Sequence, residues 1–93
     1  MSTSLPARVA IPPDVLFREL DGESVLLDLQ SERYYSLDDV GTRMWELLAE
    51  CGDVAMVVEQ MMEGYDVDEA TLHRDLANLI NQLAEEGLLS VQT

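Results

Sequence analysis

Lysine is missing altogether. The basic residues of this 93-residue chain are five arginines, Arg8, Arg18, Arg33, Arg43 and Arg74, set against nineteen acids for a formal charge of −14. Phosphate backbones are held largely through Lys and Arg, and the counterions released supply most non-specific affinity. Such a surface repels nucleic acid, and an anionic membrane likewise, while favouring a neutral or basic partner. Cysteine is nearly as scarce: Cys51 is alone, so no intramolecular disulfide framework can form. His73 is the only histidine. A zinc site needs about four nitrogen or sulfur ligands, and two are on offer. A Cys–His nucleophilic pair would need hydrogen-bond contact, yet Cys51 and His73 belong to different predicted helices.

Other absences narrow the field further. No apolar run approaches the roughly 20 residues that span a bilayer. The first ten residues lack the charged and apolar regions of a secretory signal, so a cytoplasmic protein is expected. The five glycines are isolated, with no phosphate-cradling loop among them. Asp66, Asp68 and Glu69 resemble the start of a calcium loop. The sixth and twelfth positions from Asp66, however, hold Thr71 and Ala77 where that loop needs Gly and Glu. With nineteen acids, carboxylate pairs carry no signal by counting, and a core this small leaves little room for a catalytic pocket. No catalytic residue, metal ligand or cofactor is assigned, and a non-enzyme is expected.

What is present reads as one domain. Residues 1–13 hold all three prolines without periodicity, which predicts a flexible arm ahead of a domain over 14–93. Val15–Leu20 and Ser24–Leu29 flank Asp21-Gly22, the hairpin signal, because Gly accepts the positive φ of a tight turn. In the second run Val25, Leu27 and Leu29 share one face, with Asp28 opposite. Gln30-Ser31-Glu32 turns the chain into a third, aromatic-rich strand, Arg33–Leu37. From Asp38 the period changes to about 3.6. Asp38 or Asp39 caps a first helix carrying Val40, Met44, Leu47 and Leu48, bordered by Trp45 and ended by Gly52. Asp53 caps a second helix with Val54, Val57, Val58 and Met61 inward, stopped at Gly64. Asp68 caps a third, from Glu69 to Glu86, with Leu72, Leu76, Leu79, Ile80 and Leu83 on one broad side. Gly87 ends it, and Leu88 and Leu89 fold back onto the core. A meander has one apolar face that helices must cover. The expected class is therefore α+β, a winged helix-turn-helix-like domain with a three-stranded antiparallel sheet followed by three helices.

Helix-turn-helix character invites a DNA-binding reading. The last helix holds His73, Arg74, Asn78, Asn81 and Gln82, but also Asp75, Glu85 and Glu86, and the electrostatics oppose that reading. The third strand holds more promise. It is an edge of the meander, and Arg33–Leu37 carries a single charge and no proline, so it is poorly defended against pairing. A partner peptide could add a strand there. Equally, Tyr34 and Tyr35 could be ordinary strand aromatics under the cover of the last helix.

Val25-Leu26-Leu27-Asp28-Leu29, Glu32-Arg33-Tyr34-Tyr35-Ser36-Leu37-Asp38 and Met44-Trp45-Glu46-Leu47-Leu48, in that order and spacing, resemble the PqqD-like family. Asp75-Leu76 and the closing stretch Leu83–Leu88 extend the likeness over about residues 15–89. Asp38 stands where the family has Asn, and either residue caps a helix. The resemblance implies a leader-recognition element of ribosomally synthesised peptide pathways. The leader of a precursor peptide would then lie between the third strand and the last helix. The strand surface implied is Arg33, Tyr34, Tyr35, Ser36 and Leu37; the helix wall draws on Leu72, His73, Asp75, Leu76, Leu79, Ile80 and Leu83. Leu76, Leu79 and Leu83 would supply apolar pockets, while Asp75 and its acidic surroundings would favour basic leader residues. A stand-alone form of this kind is similar to the small partners of lasso-peptide biosynthesis, which present the precursor to a leader protease and a cyclase. The alternatives are a peptide chaperone for a radical SAM enzyme of cofactor biosynthesis, or an adaptor or dimerisation module without a leader.

Overall fold

The computed structural model describes residues 5–21 and 23–92. Strand β1 (Arg8–Ala10) precedes β2 (Val15–Leu20), β3 (Glu23–Asp28) and β4 (Arg33–Leu37). Helices α1 (Asp39–Cys51), α2 (Val54–Gly64) and α3 (Glu69–Glu85) follow, and β5 (Ser90–Gln92) ends the order. The predicted α+β architecture is present, with the antiparallel sheet β2-β3-β4 ahead of the three helices. Among the described residues no helix is long and apolar enough to cross a membrane.

The first difference from expectation lies at the ends of the chain. Arg8–Ala10 is no free arm: it pairs antiparallel with β5, and Val9 is buried opposite Val91. Val9 also donates its backbone N–H to the Gly52 carbonyl, and Val54 donates to the Ala7 carbonyl. Three prolines hid a strand whose signal is only three residues long. Gly52 is the junction. At φ 67° it is the left-handed end of α1, and an added Cβ would stand 3.0 Å from the Val9 carbonyl oxygen. Glycine alone combines that φ with that approach.

Sheet register selects which alternate residues face the helices. Phe17, Leu26 and Tyr35 lie across from one another, as do Leu16, Leu27 and Tyr34 on the opposite face. The buried members of β3 are Ser24 and Leu26, rather than Val25, Leu27 and Leu29. Counting apolar residues favoured the wrong parity. Ser24 is tolerated inside because its hydroxyl lies 2.7 Å from the Thr42 hydroxyl of α1, a buried polar pair with both members satisfied. Leu29 falls past the strand end and is half exposed. The first hairpin turn includes Gly22, which lies outside the described residues; Asp21 beside it has φ 49°. The second turn is built by Asp28. Its carboxylate accepts from the Gln30 N–H and the Ser31 hydroxyl, and its carbonyl accepts from the Glu32 N–H. Glu32 takes the left-handed φ of 60° that starts β4.

Each predicted helix start is present. Asp38 Oδ1 accepts from the Gly41 N–H at 2.7 Å, and Asp53 Oδ1 accepts from Ala55 and Met56. Asp68 holds the Thr71 hydroxyl rather than a backbone N–H. The apolar faces meet in one core of Leu26, Leu37, Met44, Trp45, Leu48, Val57, Met61, Leu72, Leu76, Ile80, Leu83 and Leu88, among others. Trp45, expected at the border, is buried, whereas Val40 is exposed. Each fully buried leucine contributes about 1.5–3 kcal/mol.

The Ser24–Thr42 pair bolts the sheet to α1. Thr42→Val keeps the shape but strands the Ser24 hydroxyl, an expected loss of about 1–3 kcal/mol in urea unfolding. Adding Ser24→Ala should return part of that loss. Strict additivity of the two substitutions would contradict the pairing.

Candidate functional site

Strand β4 is an edge. One side pairs with β3; its other side has no strand partner among the described residues, because β5 is engaged with β1. Beside that free edge runs α3, in the opposite direction. Arg33 Nη1 reaches Glu86 Oε2 at 3.2 Å, and the Tyr35 hydroxyl donates to Gln82 Oε1. Further along, the contacts stop and a hollow of about 360 Å³ opens. It is lined by Asp38, Val40, Gly41 and Met44 from the start of α1 and by Asp75, Asn78, Leu79 and Gln82 from α3. Side-chain bridges thus span the space between β4 and α3, and the open hollow lies just past the end of β4, between the start of α1 and α3.

The strand residues named from sequence divide by parity. Arg33, Tyr35 and Leu37 share the face of Leu26 and lie toward the helices, while Tyr34 and Ser36 lie on the outer face. Leu37 is buried, Tyr35 half-buried, and Tyr34 is 73% exposed. The helix residues divide as well. Leu72, Leu76, Ile80 and Leu83 are core residues, each at most 2% exposed, whereas Leu79 and Asp75 line the groove. His73 stands elsewhere, with Nε2 3.7 Å from Glu69 Oε2. It lines a separate hollow of about 810 Å³ against Leu5, Arg8, Val54 and Val58 on the far flank of α3.

Asp38, Gly41, Met44, Asn78, Gln82 and Glu86 are not among the site residues expected from the sequence. A usable signal was there. Asp75, Asn78, Leu79, Gln82 and Glu86 recur at intervals of three and four, which places them on one flank of a helix. Asp75, Asn78, Gln82 and Glu86 form a polar margin along the apolar stripe, which Leu79 extends toward the hollow. Met44 and Gly41 could not be found this way, since only the tertiary fold brings the start of α1 to this place.

The electrostatics are lopsided. At the Arg33 end the guanidinium is balanced by Glu86 in a largely exposed pair, worth little to stability. At the other end stand two carboxylates, Asp38 and Asp75; Asp75 Oδ1 forms a long, exposed ion pair with Nε of its neighbour Arg74 at 3.9 Å, worth little to stability. Cys51 points its thiol back at the Leu47 carbonyl of its own helix. The groove offers a free backbone edge, an apolar floor and hydrogen-bonding margins, the parts of a peptide-binding cleft.

A solved structure, TbiB1 in complex with the TbiA(beta) leader peptide, is similar at 37% identity over 90% of this chain and 98% of that one, with a TM-score of 0.83. A second, lasso peptide synthetase B1 complexed with the leader peptide, shares 28% identity over 89% and 98% of the two chains, with a TM-score of 0.78. The PqqA binding protein of Rhodopseudomonas palustris is 24% identical over 90 residues, covering 97% of this chain and 88% of that protein. The family described as coenzyme PQQ synthesis protein D (PqqD) matches residues 23–89. The chain belongs to the PqqD family.

Proposed function

We propose that this chain binds the leader segment of a ribosomally synthesised precursor peptide and presents it to a separate leader protease and cyclase in the cytoplasm. It performs no chemistry itself. The leader enters as a fourth strand on β4 and packs its inward side chains against α3. The observation that carries this reading is the unpaired edge of β4 beside an open groove. The strand surface is Arg33, Tyr34, Tyr35, Ser36 and Leu37, and the helix wall is Asp75, Asn78, Leu79, Gln82 and Glu86. Leu72, Leu76, Ile80 and Leu83 act from beneath, by fixing the position of α3 through the core. The lasso-peptide branch is favoured over cofactor biosynthesis because the two leader-bound structures are similar at 37% and 28% identity, against 24% for the PqqA binding protein.

Magnitudes decide what kind of binding this is. A backbone hydrogen bond gains about 0.5–1.5 kcal/mol net. Ordering a flexible residue costs about 1–2 kcal/mol. Strand pairing along five residues therefore comes out near balance, and apolar burial in the groove must supply the affinity. Tethering then works by raising the local concentration of precursor at the enzyme.

A second reading, a protein-interaction or dimerisation module without a leader, draws on one observation. The outer sheet face exposes Leu16 (43%), Leu20 (69%) and Tyr34 (73%), more apolar surface than a solvated face needs. The charge of −14 opposes self-association across that face.

Three outcomes are expected. Alternate amides of Arg33–Leu37 exchange rapidly in the free protein, and those same amides become protected when the TbiA(beta) leader is added; protection confined to other elements would contradict strand addition. N-methylation of that leader at successive positions should weaken binding with a period of two, by about tenfold or more at each pairing position, since each loses a hydrogen bond and strands its partner. Uniform tolerance would exclude backbone pairing. In sedimentation the chain should be a monomer with or without leader, whereas a stable dimer indifferent to leader would favour the adaptor reading.

A further inference from the structure

Backbone pairing on an edge strand has a weakness. The hydrogen bonds of a ladder are the same for every sequence, and a guest strand can slide by two residues without losing face. Something beside the edge must choose the register. The space between β4 and α3 at Arg33 and Tyr35 is already bridged to Glu86 and Gln82. The open hollow of about 360 Å³, just past the Leu37 end of β4, has room for one long side chain.

Its chemistry is specific. Met44 is buried and Leu79 half-buried, so the floor is apolar. At the rim, Asp38 uses Oδ1 to cap α1 through the Gly41 N–H, and its Oδ2 forms no hydrogen bond to the described residues. Asp75 lines the same hollow from α3, more than half exposed; its one ion pair, to the adjacent Arg74 at 3.9 Å, is long and solvent-screened, and its carboxylate accepts no hydrogen bond from the described residues. An aliphatic stem over Met44 and Leu79 with a cationic tip between two carboxylates satisfies both layers at once. An acidic side chain would meet two like charges, and a short apolar one would leave the rim unpaired.

We infer that the hollow between Asp38 and Asp75 is a subsite for a lysine or arginine side chain of the bound peptide, and that this cation fixes the register of the guest strand on β4. The inference rests on the strand-addition reading above and names the residue class that reading leaves open.

The test selects peptides from a displayed library of random 12-residue sequences on the immobilised full-length chain and on two variants. D38N/D75N removes the rim charge, and Asn at position 38 still caps α1. E19Q/E23Q removes the same charge at the far hairpin and controls for the overall acidic field. On the parent chain and E19Q/E23Q, retained peptides that protect β4 amides should share Lys or Arg at one fixed position. On D38N/D75N that preference should vanish, and the selected cationic peptides should bind about tenfold more weakly. Changing that one cation to norleucine should bring the parent chain down to the same affinity. Retained peptides that protect β4 without a cationic position, or a preference that survives D38N/D75N, would overturn the subsite while leaving strand addition intact. A library yielding no peptide that protects β4 would overturn strand addition and the subsite together. Circular dichroism of D38N/D75N confirms that the helices persist.

Discussion

The pairing of β1 with β5 is the constraint on which the rest depends. Three residues from each end of the domain close on one another, with Val9 buried and hydrogen-bonded to the Gly52 turn. Since the last strand is used there, it does not return to cover β4. An open edge is a hazard in a small protein, exposed to pairing with any other chain. Here it is short, five residues, and it lies beside α3 rather than facing open water. A charge of −14 keeps copies of the chain apart, so the edge can stay open to a neutral or basic guest without inviting another copy.

The open edge is held firmly from every other direction. Asp28 organises the turn that delivers β4, and Arg33 and Tyr35 tie its inward face to Glu86 and Gln82. The Ser24–Thr42 pair fixes the middle strand to α1, while Leu37 enters the core directly. Under the proposed strand addition, a preorganised edge would spare the protein side of the association most of its ordering entropy. The guest would still have to be ordered, which would leave affinity to apolar contact.

Most of the architecture was legible in the sequence because its signals are local. Periodicity switched from two to 3.6 at Asp38, and Asp38, Asp53 and Asp68 marked three helix starts. Failures came where tertiary context overrides local pattern. Leu26 rather than Val25 and Leu27 faces inward, which puts the polar Ser24 in the core as well, where its partnership with Thr42 satisfies it. Strand β1 is defined by β5 and by Gly52, neither of which is adjacent in sequence. The candidate site was legible only as an edge strand and a helix, the two elements the structure brings side by side. Within α3 the sequence could not separate Leu79, which reaches the groove, from Leu76 and Ile80, which do not. His73 was drawn in because it borders the same stripe, but on its other flank, toward Val54 and Val58.

The central claim is that a guest backbone pairs with β4. Isotope-edited NMR of the labelled chain with unlabelled TbiA(beta) leader tests it directly, through cross-strand contacts between Hα protons of the two chains. The account predicts such contacts to residues between Arg33 and Leu37, alternating along the strand and accompanied by side-chain contacts to Leu79. Cross-strand contacts to β2 instead, or leader contacts confined to the hollow around His73 and Glu69, would contradict it.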